Sequence, residues 1–317
     1  MPVKFGFMLN AFRERSGHAI WQNTHRMVVE AERLGFDSLW VEDHFIQIPQ
    51  VDPVEAPVLE SYTSLAAMAA VTSRIRFGTM VTGIPYRNPA MLAKMGATLD
   101  VISNGRLIMG IGAGWYEREF EAYGWGFPAA RQRLDELEDA VQIIHKMWTE
   151  DHPSFAGRYH SINEPICEPR PIQKPRPPIL IGGGGEKRTL KIVAKYADAW
   201  NIISYPEMVK HKLEVLERHC EDVGRDPATI EKTKLGLVLI GRNEADLKAK
   251  VAKYDPDSFS EAYRVNNIVG TADQCIERCN ELLDLGLDTL MFMFPDAHTL
   301  EGMQLFMEEV APALRAR

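Results

Sequence analysis

Short apolar runs of strand length alternate with amphipathic stretches of helical length along the whole chain. The runs with strand character are residues 3–9, 37–41, 75–81, 106–110, 178–181, 199–203, 235–240 and 288–294. The segments with helical spacing that follow them are 19–34, 62–71, one opening at 88–89, 131–148, 186–196, 207–223, 271–285 and 300–314. Eight β-then-α units in succession predict a (β/α)8 TIM barrel, an α/β fold.

We expect the barrel to occupy residues 1–317 as a single domain. A doubly wound sheet is the alternative, but that fold usually divides a chain of this size into two lobes. The proline-rich stretch 168–178 resembles a linker, yet a predicted strand follows it at once. We therefore interpret this stretch as an extended segment that leads into the fifth strand.

The composition narrows the class of protein. The 317 residues carry 36 basic and 44 acidic side chains, a formal net charge of −8, and a nucleic-acid binder would need a basic face. Residues 1–10 lack the pattern of a signal peptide, and no apolar run approaches the ~20 residues of a membrane span. We expect a cytoplasmic protein with no membrane partner, whose four scattered cysteines are free thiols: Cys167, Cys220, Cys275 and Cys279.

In TIM barrels the chemistry lies at the C-terminal ends of the strands. The candidate positions are therefore Asn10, 42–44, 80–82, 110–116, 182–186, 202–204 and 294–295. Among them, His44 follows Glu42 and Asp43 directly after the second strand. Histidine exchanges protons near neutral pH, so His44 is the candidate acid and base, with a neighbouring carboxylate to orient it. A solvated loop histidine is the alternative.

Four consecutive glycines, 182–185, connect the fifth strand to its helix. Glycines let the backbone approach a ligand closely, and the first helical turn presents free N–H groups to an anion. Lys187, Arg188 and Lys191 add positive charge in an acidic protein. The segment predicts a phosphate cradle, although it is neither a P-loop nor a GxGxxG fingerprint. A merely flexible turn is the alternative.

The loop after the fourth strand is rich in glycine and aromatic residues, from Gly110 to Phe127. Its rings would either wall a planar ligand or pack over the barrel rim. No HExxH or GxSxG motif is present, and we predict no metal site. A glycosidase built on Glu42, Asp43 and Glu117 is an alternative, but it does not account for the glycine segment.

Five segments of the chain carry a family likeness. They are FDSLWVEDHF (36–45), TSRIRFGTMVTGIPYRNPAMLAK (72–94), ISNGRLIMGIGAGWYEREFEAYGWGFP (102–128), PILIGGGGEKRTLKIVAKYADAWN (178–201) and VGTADQCIERCNELLDLGLDTLMF (269–292). Together they resemble the bacterial luciferase-like monooxygenase superfamily, and more closely its branch of actinobacterial oxidoreductases that use the deazaflavin coenzyme F420. The likeness covers almost the whole chain, and GWYEREFEAYG is its most specific string.

The resemblance implies a TIM barrel with insertion loops over its C-terminal face, which forms a homodimer. It implies that His44 lies beside the cofactor ring and acts as a general acid or base. It also implies a cis peptide bond between Met80 and Val81 that supports the ring. The cofactor-binding residues it implies are Asp43, Met80, Val81, Thr82, Gly112, Ala113, Gly182, Gly183, Gly184, Gly185 and Lys187. We assign Asn10, Trp115 and Tyr116 to the substrate.

One position departs from the family pattern. The sugar-phosphate dehydrogenases of this branch place a proton-donating glutamate directly after the glycines of the fourth strand, where this chain has Trp115. We therefore predict hydride transfer between the deazaflavin C5 and a small, planar or apolar substrate rather than a sugar phosphate. The alternatives are an FMN-dependent monooxygenase that uses molecular oxygen and a non-catalytic flavin-binding protein.

Overall fold

The computed structural model describes residues 3–10, 17–49, 51–254 and 267–317. Eight strand positions form a parallel barrel: β1 (Lys4–Leu9), β2 (Ser38–Val41), β3 (Arg76–Thr79) continued by β4 (Thr82–Gly83), β5 (Met109–Gly112), β8 (Ile179–Gly182), β9 (Ala199–Ile202), β10 (Glu231–Gly241) and β12 (Thr289–Met293). Three further strands lie outside the barrel: β6 (Ser154–Ala156), β7 (Ser161–Asn163) and β11 (Ile268–Thr271).

The sheet closes on itself in the order of the chain. β1 pairs with β2 on one side and with β12 on the other, and every barrel pairing is parallel. β3 meets the start of the next strand through a parallel bridge between Phe77 and Leu107, and β4 pairs with β5. The predicted TIM barrel is confirmed, and the doubly wound alternative is wrong.

Helices cover the outside of the barrel. They are α1 (His18–Leu34), α2 (Ser61–Val71), α3 (Pro89–Ile102), α4 (Glu117–Ala122), α5 (Ala130–Thr149), α6 (Thr189–Tyr196), α7 (Pro206–Val223), α8 (Glu244–Tyr254), α9 (Ala272–Asp284), and α10 (Glu301–Leu305), which continues through a π-helical turn (Phe306–Val310) into α11 (Ala311–Arg315). Local signals set several ends: the Asn88 side chain caps α3, and Gly35 ends α1 at φ 84°.

Two strands begin three or more residues away from their predicted start. β5 runs over Met109–Gly112 rather than 106–110, because Gly110 and Gly112 belong to the strand and not to a loop. A Cβ atom on Gly110 would lie 1.8 Å from the carbonyl oxygen of Thr79, so only glycine lets the two strands approach. β10 begins at Glu231 rather than at 235, with polar residues at its start.

Side chains fill the inside of the barrel. Its apolar core consists of Met8, Trp40, Leu180, Ala199, Leu235 and Met291. The Trp40 indole donates a hydrogen bond to Ser38 Oγ at 2.8 Å. The barrel is therefore not an open channel, and a ligand has room only at its ends. No described helix is both long and apolar enough to cross a membrane.

Candidate functional site

A pocket of about 410 Å³ lies at the C-terminal ends of the barrel strands. Ten of the residues predicted for the site line it: Asp43, His44, Met80, Val81, Gly112, Ala113, Trp115, Gly182, Gly183 and Gly184. They come from four segments that are far apart in sequence, and the closure of the barrel brings them together. Its size and mixed lining suit an organic ligand or cofactor.

Five other predicted residues do not line the pocket. The Thr82 hydroxyl is buried between Tyr62 and Thr79, and Gly185 and Lys187 are exposed beyond the end of the pocket. Asn10 lies at the end of β1, and its carbonyl oxygen accepts a hydrogen bond from Gln47. Tyr116 is buried beneath the rim.

His44 is held in place by a buried carboxylate on α4. Its Nδ1–H donates to Glu119 Oε1 at 2.8 Å, and the Phe45 N–H donates to Glu119 Oε2 at 2.8 Å. The Tyr86 hydroxyl donates a third hydrogen bond to this carboxylate. Among the described residues, Nε2 of His44 has no hydrogen-bond partner, and His44 lines the pocket. The imidazole is therefore oriented so that it can exchange a proton with a bound molecule.

The charge of Glu119 decides the protonation of His44. Burial alone would lower the pKa of His44, but the hydrogen bond and the charge of Glu119 outweigh it, so this pKa is raised. Burial likewise opposes ionisation of Glu119, yet its bonds to His44 and Tyr86 keep the pKa of that carboxyl below its usual value. The pairing thus favours the protonated form of His44 and the ionised form of Glu119.

The two other carboxylates beside His44 have different surroundings. Arg87 binds Asp43 with two hydrogen bonds of 2.5 and 3.0 Å, and the Ser61 hydroxyl donates a third. Glu42 is buried, and its Oε1 has no hydrogen-bond partner among the described residues. Burial raises the pKa of Glu42 to about 7, with Glu119 adding to the rise and His44 opposing it. Asp43 is therefore anchored by Arg87 and Ser61, whereas the raised pKa of Glu42 favours its protonated form up to about neutral pH.

The floor of the pocket is apolar and depends on glycines. The peptide bond between Met80 and Val81 is cis, as the resemblance implied. A Cβ atom on Gly112 would lie 2.7 Å from Val81 Cγ2, and one on Gly182 would lie 3.0 Å from both methyl groups of Val81. Glycines at these two strand ends therefore let Val81 form a flat apolar floor.

The positive charge near the glycine segment is not the one that the sequence predicted. Arg188 points to Asp135 and Glu138 on α5, while Lys187 and Lys191 are exposed outside the pocket. The pocket is instead lined by Lys212 of α7. Its Nζ lies 2.5 Å from Glu186 Oε1. The glycine backbone, the start of α6 and Lys212 together form an end of the pocket that favours an anion.

Aromatic side chains form one wall of the pocket mouth. Trp115 is 54% exposed and stacks on Tyr116, with ring centroids 5.2 Å apart. His44 meets both rings edge-on. Tyr123 and Trp125 pack around Phe45 on the rim, as one interpretation of this loop predicts, whereas Trp115 lines the pocket and its contact with a planar ligand stays a prediction.

The structure adds residues that the sequence interpretation missed. Glu119, Tyr86 and Lys212 all lie far in sequence from the groups they contact. Glu119 had a signal in the sequence, because it lies between Tyr116 and Phe120 in the family-specific string and so shares the apolar side of a short helix. The second carboxylate of the glycosidase alternative, Glu117, is exposed and does not line the pocket. No group of three metal-ligating side chains is found among the described residues.

Comparison with known proteins agrees with this geometry. The model of a family described as luciferase-like monooxygenase matches residues 3–289. The chain is 29% identical over 91% of its length to an F420-dependent glucose-6-phosphate dehydrogenase of Amycolatopsis mediterranei, of which it covers 93%. It is 31% identical over 68% of its length to the phthiodiolone/phenolphthiodiolone dimycocerosates ketoreductase of Mycobacterium tuberculosis, of which it covers 60%.

Among solved structures, the chain is similar to an F420-dependent secondary alcohol dehydrogenase in complex with an F420–acetone adduct. The identity is 22%, the coverage is 99% of both chains and the TM-score is 0.83. At this identity the likeness concerns the fold.

Proposed function

The chain belongs to the luciferase-like monooxygenase family, and from that premise we propose that it is an F420-dependent oxidoreductase. The reaction is hydride transfer between the deazaflavin C5 and a small, planar or apolar organic substrate. One observation carries this proposal: His44, oriented by Glu119, lines the same pocket as an apolar floor and an anion-favouring end.

The pocket residues fit a deazaflavin with an anionic tail. Met80, Val81 and Ala113 offer an apolar surface for a flat ring, and Gly182–Gly184 leave room for the backbone to approach a phosphate. Lys212 supplies the cation for that end. When bound, the deazaflavin would supply the hydride chemistry, which no side chain of the protein can perform.

The protein's own contribution is orientation and proton handling. His44 delivers or receives the proton that accompanies the hydride, and Glu119 keeps its ring in one orientation and its Nδ1 protonated.

Trp115 supports an apolar substrate. It exposes a large ring face at the mouth, next to His44, and a flat molecule can stack on it. Trp115 also occupies the position at which the sugar-phosphate dehydrogenases of this branch carry a proton-donating glutamate. We therefore propose that the substrate differs from that of the relatives named glucose-6-phosphate dehydrogenases.

Equilibrium binding of F420 and of FMN tests the cofactor. We expect micromolar or tighter binding of F420; micromolar binding of FMN without binding of F420 would overturn the proposal and favour the monooxygenase alternative. A substrate panel then follows the absorbance of the deazaflavin with quinones, enones, imines, ketones, alcohols and glucose 6-phosphate. Binding without turnover of any of them would favour a non-catalytic flavin-binding protein.

A further inference from the structure

Glu42 occupies an unusual place at the top of the barrel interior. Side chains alternate along a strand, and Ser38 and Trp40 of β2 point into the barrel, so Glu42 is the next inward-pointing residue. It is 6% exposed, and its Oε1 has no hydrogen-bond partner among the described residues. A buried carboxyl without partners is rare, because an ionised carboxylate loses its hydration there at a high cost.

The neighbours of Glu42 place it directly below the pocket. One residue beyond the register pairs Leu9–Val41 and Val41–Thr79, it lies beside Asn10 on one strand and Met80 on the other. Met80 lines the pocket. The titratable groups whose charges act on Glu42 are His44, two residues along the chain, and Glu119 on α4. Asn10 and Met80 are uncharged, and no lysine or arginine in the described part of the chain is among the charges that act on Glu42.

We propose that Glu42 is a second proton-holding group of this site and a positioning residue for the chemistry of His44. Protonated Glu42, the His44 imidazolium and the Glu119 carboxylate together carry no net charge, which suits a buried site. Ionisation of Glu42 would place a second negative charge near His44 and hold its proton more tightly. Neutral Glu42 therefore makes His44 the better proton donor.

The role of Glu42 in catalysis rests on the proposed function. The link between the ionisation of Glu42 and that of His44, however, is a property of the protein without cofactor. Burial raises the pKa of Glu42 to about 7, so its charge changes within the range in which enzymes of this kind operate. A merely structural role for Glu42 would not link its ionisation to that of His44.

The test is an NMR titration of the cofactor-free protein labelled in its histidine rings, with the His44 signal assigned by its loss in His44→Gln. Glu42→Gln keeps the shape of the side chain and removes its ionisation. We expect the pKa of His44 to be lower in this variant, and its titration curve to lose any second step near pH 7. The control is Glu121→Gln, which removes an exposed carboxylate from α4 and should leave the curve unchanged. An unchanged His44 titration in Glu42→Gln overturns the proposal.

A second measurement needs only the wild-type protein and keeps the proposal testable if Glu42→Gln fails to fold. Carboxyl carbons are observed by NMR after labelling of glutamate, and a buried group should titrate near pH 7, apart from the exposed glutamates. If every glutamate titrates near its usual pKa, Glu42 holds no proton at neutral pH and the proposal is wrong. Neither measurement involves F420, so a failure here is distinct from a failure to bind the cofactor.

Discussion

The proposed chemistry depends on one proton that His44 can exchange. Replacement of His44 by alanine should lower kcat by about 10²–10⁴-fold, the usual contribution of a positioned acid or base. The affinity for the cofactor should change much less, because the pocket floor and the glycine segment remain. Steady-state kinetics and equilibrium binding measure the two quantities, and the exposed His25 offers a control as His25→Ala. Turnover within about 3-fold of wild type would contradict the acid–base role.

The His44–Glu119 pair should also make stability depend on pH. Because the pKa of His44 is raised in the folded state, its contribution is fully present below the unfolded pKa of histidine and is lost as the pH rises through the folded value. His44→Gln should therefore destabilise the protein by about 1.5–3 kcal/mol at pH 6, the range for a hydrogen bond to a charged group, and by less at pH 9. Urea unfolding at both pH values measures this. An equal loss at pH 6 and pH 9 would show that the charge does not contribute.

His44 could be identified from the sequence because its position relative to a strand end is a local property. Its partner Glu119 could not, since the hydrogen bond spans 75 residues and depends on how the loop after β5 folds back over β2. For the same reason, the unusual surroundings of Glu42 could not be predicted from the sequence. Its place beside the histidine is visible in the sequence, whereas its missing hydrogen-bond partner is a property of the packed barrel.

At the scale of elements, the lysine that lines the pocket near the glycine segment is not the one that the sequence predicts. The sequence places Lys187 nearest to the four glycines, but α6 begins at Thr189 and Lys187 projects outside the pocket. The cation that lines the pocket, Lys212, comes from α7. Adjacency in sequence was misleading here because the direction of a side chain depends on the turn that precedes the helix.

Two substitutions distinguish these lysines. Lys212→Ala should weaken the binding of a phosphate-bearing cofactor by about 10-fold at low salt, because a partly buried charge pair contributes about 1–2 kcal/mol. Lys187→Ala should change it by less than about 2-fold, since an exposed charge is screened. Fluorescence titrations at two salt concentrations measure both. The reverse order of effects would restore the interpretation based on sequence.

The strand ends provide another contrast between two glycines. Gly112→Ala should lower the stability by about 1–3 kcal/mol, because its Cβ would press on Val81 at 2.7 Å and the pocket floor would have to shift. Gly184 has only contacts of 3.8 Å around the position of a Cβ, so Gly184→Ala should fold normally. Thermal unfolding of the two variants measures this difference, and equal stability would show that the floor can adjust.

The elements that the sequence predicts well are those with a strong period and a buried face. All eight barrel strands and the helix that follows each of them in the prediction are present, whereas α4, α8, β6, β7 and β11 were not predicted. β6 and β7 are three residues each with mostly exposed side chains, so they carry no hydrophobic pattern. α4 is only six residues long, and its sequence reads as part of an aromatic loop.

At the scale of the whole molecule, the closed sheet explains why an acidic chain can offer an anion-favouring site. The net charge of −8 is spread over the chain, whereas the glycine backbone, the start of α6 and Lys212 are gathered at one end of the pocket. Bulk charge governs encounters with large polyanions, and local geometry governs a phosphate group within a pocket. The two properties are therefore independent in this protein.

The homodimer implied by the family resemblance has a candidate surface on α3. Met91 and Ile102 are 54% and 47% exposed, and eleven residues on an α-helix return to the same face. Met95, which is half-buried, and Thr98, which is exposed, lie between them on this face, with Lys94 beside them. The face therefore offers two exposed apolar side chains that a second subunit would cover. We propose that α3 packs against its copy in a second subunit.

Mass photometry and sedimentation at micromolar concentration test this surface. The wild type should have a mass of about 72 kDa, twice that of the 35.8 kDa chain. Met91→Glu combined with Ile102→Glu places charges on the stripe and should shift the protein to the monomer, because an unpaired charge is costly to bury. Val223→Glu, at a site that is 37% exposed at the end of α7, is the matched control and should remain a dimer. A monomeric wild type would contradict the proposed homodimer. A dimer that survives the double substitution would place its interface elsewhere.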